Sequence, residues 1–231
     1  AELSNRLAAP EGIFGGLSRH IFGCDPMGRD VLTRLLLGGR TSLLIAFSVV
    51  LITTILGLII GLLAGYYGGI ADLVLMRICD IMMALPTLLL AICVVAVMGS
   101  SITNLVVVLS ITGWIMVARV VRSTVMSIRD CEYVKAARVL GIPNSQIILK
   151  EVLPNVISPV IITATQAFGG MILTEASMSY LGLGVPAPSP SWGAMISDGR
   201  EYIATAPWVV IVPGIALMLT VLAFNFLGDG L

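Results

Sequence analysis

Residues Asp130–Asn155 read DCEYVKAARVLGIPNSQIILKEVLPN. This is the one long polar segment in an otherwise apolar chain, and it lies between two stretches long enough to cross a bilayer. The flanks belong in lipid, and the island between them is a handle for something in the aqueous phase. Composition agrees: 58% of the 231 residues are hydrophobic, 11% are charged, and net charge is zero. A soluble domain carries about 25% charged residues, and mean hydropathy here is +1.04. The chain is therefore an all-α polytopic membrane protein with one membrane domain. Zero net charge argues against a nucleic-acid partner, which calls for a basic surface. Cys24, Cys79, Cys93 and Cys131 form neither a CxxC pair nor a metal-ligand spacing, so they read as buried or incidental thiols.

A helical crossing takes about 20 apolar residues. No charge falls between Arg40 and Asp72, and Ser42–Gly65 supplies the first span. Asp80 and Arg119 enclose 38 uncharged residues, too many for one crossing. Turn formers at Gly99, Ser100 and Ser101, with Asn104 nearby, divide this run into Ile81–Met98 and Ile102–Val121. A fourth span runs from Pro154 to Tyr180 and carries one charge, Glu175; a fifth runs from Pro207 to Leu227. Five helices are expected. Gly57, Gly61 and Gly65 form a small face suited to close helix packing in lipid.

Basic residues near span ends face the cytoplasm. Arg119, Arg122, Arg129, Lys135, Arg138 and Lys150 cluster around the island, whereas the loop after the fourth span holds only Arg200. This places loop 123–153 in the cytoplasm and the loop 182–206, with Pro186, Pro188 and Pro190, outside. Residues 1–41 then form an extracytoplasmic segment and interfacial pre-helix, and 42–231 the transmembrane domain. The external arginines Arg6, Arg19, Arg29, Arg34 and Arg40 break the pattern. An additional helix upstream of Ala1 would explain how they were translocated, and the chain looks trimmed at both ends.

Within the island, Asp130 is placed to cap a helix starting at Cys131 that Gly141 ends. Tyr133, Ala136, Ala137 and Leu140 recur at helical spacing as one apolar face, with Glu132, Lys135 and Arg138 elsewhere. A second short helix, Ser145 to Glu151, is expected to close at Pro154. Such a helix–turn–helix suits a groove on a partner protein. The alternative is an amphipathic loop resting on lipid, although few bulky apolar residues are present to anchor it.

Lys135-Ala136-Ala137, then Gly141, then Leu153-Pro154 resembles the EAA–G–LP signature of ABC importer permeases. The segments His20–Asp25 with Gly28–Asp30, Ala64–Gly69, EASMSYLGLG at 175–184, Pro190–Met195 and Leu222–Leu231 are similar to the second permease subunit of dipeptide, oligopeptide and nickel importers. The resemblance runs from about Leu3 onward. It implies the type I importer permease fold and a coupling loop formed by Glu132, Lys135, Ala136, Ala137, Gly141, Leu153 and Pro154. It also implies an upstream sixth helix and a short basic tail. The implied partners are a second homologous permease subunit, two cytoplasmic ATPases and an extracytoplasmic substrate-binding protein, in a bacterial-type inner membrane. Lys135 stands where the signature usually has Glu, and Glu132, nearly one turn back, can take over part of that charge. Cys24 replaces a commoner Thr, for which we have no account.

The energy source is not in this chain. A phosphate-binding loop needs GxxxxGK[ST], and the lysines Lys135 and Lys150 follow Val134 and Leu149. With His20 as the sole histidine no HExxH zinc site is possible, and no GxSxG elbow is present. The expectation is a non-catalytic subunit that binds no cofactor, ATP and Mg being held by the partner ATPases. Glu175, with Gln166, Gly182 and Gly184, is a candidate for the pathway or its gate; the alternative for Glu175 is a structural acceptor bonded to backbone or hydroxyl groups. Asn104 and Asn225 are weaker candidates. A pair between Asp80 and Arg119 is expected near the cytoplasmic interface. Peptides are the preferred cargo, with nickel, a metal chelate or glutathione as alternatives. A stand-alone secondary transporter would show internal repeats or interrupted helices with clustered membrane charges.

Overall fold

The computed structural model describes residues 3–10 and 20–231. Residues 1–2 and 11–19, including Arg19 of the N-terminal segment, lie outside the described residues. The described chain is helical; its one β-type contact is an isolated bridge between Cys24 and Asp30. The helices are α1 (Val31–Tyr67), α2 (Gly69–Ala84), α3 (Thr87–Met98), α4 (Ile102–Arg129), α5 (Glu132–Val139), α6 (Asn144–Ile147), α7 (Leu153–Tyr180), α8 (Trp192–Gly199) and α9 (Trp208–Asp229). A π-helical turn, Ile148–Val152, joins α6 to α7.

Among the described residues, four unbroken helical stretches are long and apolar enough to cross a membrane: Val31–Tyr67, Ile102–Arg129, Asn144–Tyr180 and Trp208–Asp229. The second crossing expected from the sequence, Ile81–Met98, is not one straight helix: α2 and α3 together are long and apolar enough for a fifth span, but as a bent pair. The chain bends by 79° between α2 and α3, at Leu85-Pro86. Proline lacks an amide hydrogen and forces the residue before it into extended backbone, and Leu85 sits at φ −90°, ψ 120°. The first span also begins earlier than Ser42, since α1 starts at Val31 and runs 37 residues without a break. Asp30 starts it: its Oδ2 accepts the Thr33 backbone N–H at 2.7 Å.

The residues divide into two compact units, and the boundary passes through α1, α3, α4, α7 and α9. One unit combines residues up to Phe47 with Ala91–Val106 and Phe168–Phe224; the other combines Ser48–Leu90, Val107–Ala167 and Asn225–Leu231. In the second unit the glycine face of α1 meets α4 at van der Waals distance. A Cβ on Gly61 would lie 2.6 Å from the Ala118 carbonyl oxygen, and one on Gly65 would lie 2.7 Å from Val125 Cβ. The glycines are what permit that approach. Val117, Val121 and Val125 of α4 then join Tyr66, Val134, Ala137, Ile147, Val152, Val156 and Val160 in one buried cluster. The polar island is thus folded onto an apolar core of its own unit. Arg122 pairs with Asp72 on α2, and Arg119 Nη2 lies 2.6 Å from Asp80 Oδ1, which is the pairing expected from the sequence.

Candidate functional site

The island forms a knuckle whose geometry differs from expectation in three places. Helix α5 begins at Glu132 rather than Cys131, and Cys131, extended at φ −66°, ψ 149°, is its N-cap without a side-chain bond to the first turn of the helix. The Asp130 carboxylate points instead at Arg129, 3.8 Å from its Nε. The face that α5 buries is Val134 and Ala137. Tyr133, Ala136 and Leu140 of the expected apolar face stay exposed, and Val139 is exposed beside them. Finally, Pro154 does not end the second helix. Asn144–Tyr180 runs continuously, and the widened π turn, in which the Leu153 N–H reaches back to the Ile148 carbonyl, makes room for the proline ring.

Gly141 does end α5 as expected. Its φ is +77°, its N–H donates to the Arg138 carbonyl at 3.0 Å, and the Ile142 N–H donates to the Ala137 carbonyl at 3.1 Å. These two bonds are those of a Schellman terminus, with the glycine in the left-handed position. A Cβ there would meet nothing within 4 Å, so the glycine serves backbone angle and not space. Among the sequence candidates, Glu132, Lys135, Ala136, Gly141 and Pro154 are exposed, Leu153 is half-buried and Ala137 faces the core. Val139 and Leu140 are 88% and 79% exposed. The knuckle therefore presents a small apolar patch flanked by Glu132 and Lys135.

The other unit holds Glu175, fully buried near the end of α7. Ser179 Oγ donates to Glu175 Oε1 at 2.7 Å and accepts the Val185 N–H at 3.4 Å. Glu175 Oε2 is buried without a hydrogen-bond partner among the described residues. Gly182, at φ +80°, ends α7 by the same Schellman pattern, with Gly182 N–H to Ser179 O at 3.1 Å and Leu183 N–H to Met178 O at 2.9 Å. The following loop then lies flat on the helix it has just left. A Cβ on Gly184 would fall 1.9 Å from Ser179 Oγ, and one on Gly193 of α8 would fall 2.3 Å from the Ala176 carbonyl oxygen. Ser197 Oγ donates to the Tyr180 carbonyl at 2.9 Å, and Ser191 Oγ caps α8 by accepting the Ala194 N–H at 3.2 Å. The result is a clasp closed by Glu175, Ser179, Gly184 and Gly193. Gln166 lies in the unit of the knuckle, where its amide donates to Asp229 Oδ1 at 3.1 Å. No cluster suited to a metal occurs among the described residues.

Sequence reasoning missed a charged cluster in the unit of the clasp. The Asp25 carboxylate accepts the Met27 and Arg29 N–H groups at 2.8 and 2.9 Å, Arg29 Nε at 2.6 Å and Arg34 Nη1 at 2.7 Å. Arg34 Nη2 also reaches Asp198 on α8 at 3.2 Å. Burial pushes the Asp25 carboxyl up, but the donors of Arg29 and Met27 outweigh it and hold it below the ordinary carboxylate value. Burial raises Asp30 likewise, and donors from Thr33 and His20 bring it below the usual range. The run CDPMGRD at 24–30 was the available signal, since an aspartate before a tight glycine turn is placed to collect backbone N–H groups.

Residues 57–231 match the family described as "Binding-protein-dependent transport system inner membrane component". The dipeptide transport system permease protein DppC of Alkalihalophilus pseudofirmus is 45% identical over 228 residues, covering 99% of this chain and 73% of that protein. The glutathione transport system permease protein GsiD of Pectobacterium atrosepticum is 44% identical, covering 94% of this chain and 72% of that one. Among solved structures, an inward-facing conformation of the MetNI methionine ABC transporter has the same fold, with TM-score 0.69 at 20% identity over 86% of this chain and 94% of that chain. The chain belongs to the family of binding-protein-dependent transport system inner membrane components and is a multi-pass membrane protein.

Proposed function

We propose that this chain is a peptide-conducting permease subunit of an ATP-driven importer in a bacterial inner membrane. It pairs with a second, similar permease subunit, two cytoplasmic ATPases that hold ATP and Mg, and an external substrate-binding protein. The observation that carries the reading is the knuckle. A segment of eight helical residues, Glu132–Val139, is held on a core of its own unit while Val139 and Leu140 are left in the open. An isolated helix of that length is unstable in water, so its rigidity comes from Val134, Ala137 and the Gly141 terminus. An exposed apolar patch on a rigid short helix suits a groove in a partner. Glu132 and Lys135 beside it supply charge for orientation. The chain contributes no catalytic group and no nucleotide site; nucleotide acts through it by biasing two arrangements of one joint.

The Glu175 clasp is the gate-side counterpart. A buried carboxyl oxygen without a donor costs about 1–3 kcal/mol or more, so an arrangement that gives Oε2 a donor is favoured once the clasp loosens. Di- and oligopeptides are the cargo, supported by similarity to the dipeptide permease. Glutathione, itself a small peptide, is the second reading, supported by the GsiD relative. Co-expression of the chain with its companion subunits, followed by affinity purification and peptide uptake into vesicles, tests the assignment. ATP-dependent uptake with ATPases retained is expected; uptake indifferent to ATP depletion would assign the chain to secondary transport.

A further inference from the structure

The segment Ala64–Gly69, AGYYGG, forms the corner between α1 and α2. Its Tyr66 is 5% exposed, at the C-terminal end of α1, and its ring belongs to the core on which the knuckle rests. Two residues of the knuckle and one at the end of α4 grip this corner. Tyr66 Oη donates to Asn144 Oδ1 at 2.9 Å, at the start of α6. The Arg138 guanidinium of α5 lies over the Tyr66 ring, 4.8 Å from its centroid. Arg129 Nη1, at the end of α4, donates to the Gly65 carbonyl at 2.8 Å, satisfying one of the open carbonyls that end α1. Tyr67 braces the ring edge-on at 5.4 Å between centroids.

We infer that Tyr66 is the positioning residue that transmits displacement of the knuckle to α1. This rests on the reading of the knuckle as the ATPase-driven element. A plain core position requires only an apolar ring, and phenylalanine would fill it. Here a phenol hydroxyl is directed at one side chain of α6 while a cation from α5 sits on the ring face, an arrangement favourable to the ring's quadrupole. Both short helices are thereby attached to a single residue, itself the last but one of a 37-residue helix. Movement of α5 and α6 together carries Tyr66, and Tyr66 carries the end of α1.

The test uses the whole importer in proteoliposomes with its binding protein, supplied with a mixed di- and tripeptide library, and reads peptide imported per ATP hydrolysed. Tyr66→Phe keeps the ring and its packing and removes only the bond to Asn144. The ratio is expected to fall roughly two- to tenfold, the factor a net hydrogen bond supplies, with ATPases retained as in wild type. Asn144→Ala should reproduce the fall, and the double variant should be no worse than either single one. An unchanged ratio in Tyr66→Phe, or additive losses in the double variant, overturns the inference alone. Loss of the ATPases from Tyr66→Phe overturns it too, by making the residue part of the docking surface. A wild-type complex that holds no ATPase overturns the parent reading and this one with it.

Discussion

Replacing Gly141 separates backbone angle from contact. A Cβ at this position meets nothing within 4 Å, so a side chain costs nothing in packing and the whole penalty arises from φ +77°. For an L-residue with a Cβ, left-handed backbone costs about 1–2 kcal/mol, with asparagine tolerated best. A β-branched residue costs more. At about 1.4 kcal/mol per factor of ten, Gly141→Ala should open the end of α5 roughly 5- to 30-fold more often. Gly141→Asn should open it less and Gly141→Val more. The two bonds that report this are the N–H of position 141 to Arg138 O and the Ile142 N–H to Ala137 O. Hydrogen exchange of those amides in the purified complex gives the opening ratio, and ATPase retention under the same conditions gives its consequence. Retention should follow the order Gly, Asn, Ala, Val while the membrane part stays folded. Equal exchange in the Asn and Ala variants would refute the conformational argument. Wild-type retention by Gly141→Val would refute the docking role.

Glu175→Gln keeps an acceptor for Ser179 but replaces the ionisable group; transport should fall roughly fivefold, the factor of about one net hydrogen bond, with ATPases still attached, and full uptake would remove the carboxyl group from the mechanism. Gly61→Val drives a side chain into the Ala118 carbonyl and Val121; overpacking of about 1–3 kcal/mol should lower the melting temperature of the purified complex, and an unchanged melting curve would contradict the α1–α4 approach. Asp25 and Asp30 are both held below their ordinary value, so their stabilisation is fully present above about pH 4 and is lost as pH falls through their folded values. Melting temperature should therefore drop on acidification below about pH 4, and Asp25→Asn should flatten that drop; an identical acid limb in the variant would disprove the assignment.

The crossings were legible because their signal is a plain count of uncharged apolar residues. The 79° bend follows from Pro86, which the expected division of the 38-residue run at Gly99–Ser101 alone leaves out; the chain breaks at both places. Gly141 could be read because its constraint is local and independent of packing. The inward face of α5 could not, since Val134 and Leu140 are equally apolar and only the core formed by α1 and α4 decides which one is covered. Asp130 failed as a cap because Arg129 next to it competes for the carboxylate. The grip on Tyr66 joins residues 78 positions apart, and no spacing rule reaches that far. The unpaired oxygen of Glu175 likewise depends on how the loop after Gly182 folds back.

Attachment of the motor to the knuckle is measured most directly by cross-linking. Val139, 88% exposed and free of any core role, is replaced by Cys in the intact importer, and a short bifunctional thiol reagent is applied from the cytoplasmic side of inside-out vesicles. The account predicts a covalent product between this chain and an ATPase subunit whose yield changes on adding ATP. Labelling of that position only from the external side, or a product containing no ATPase, would contradict it.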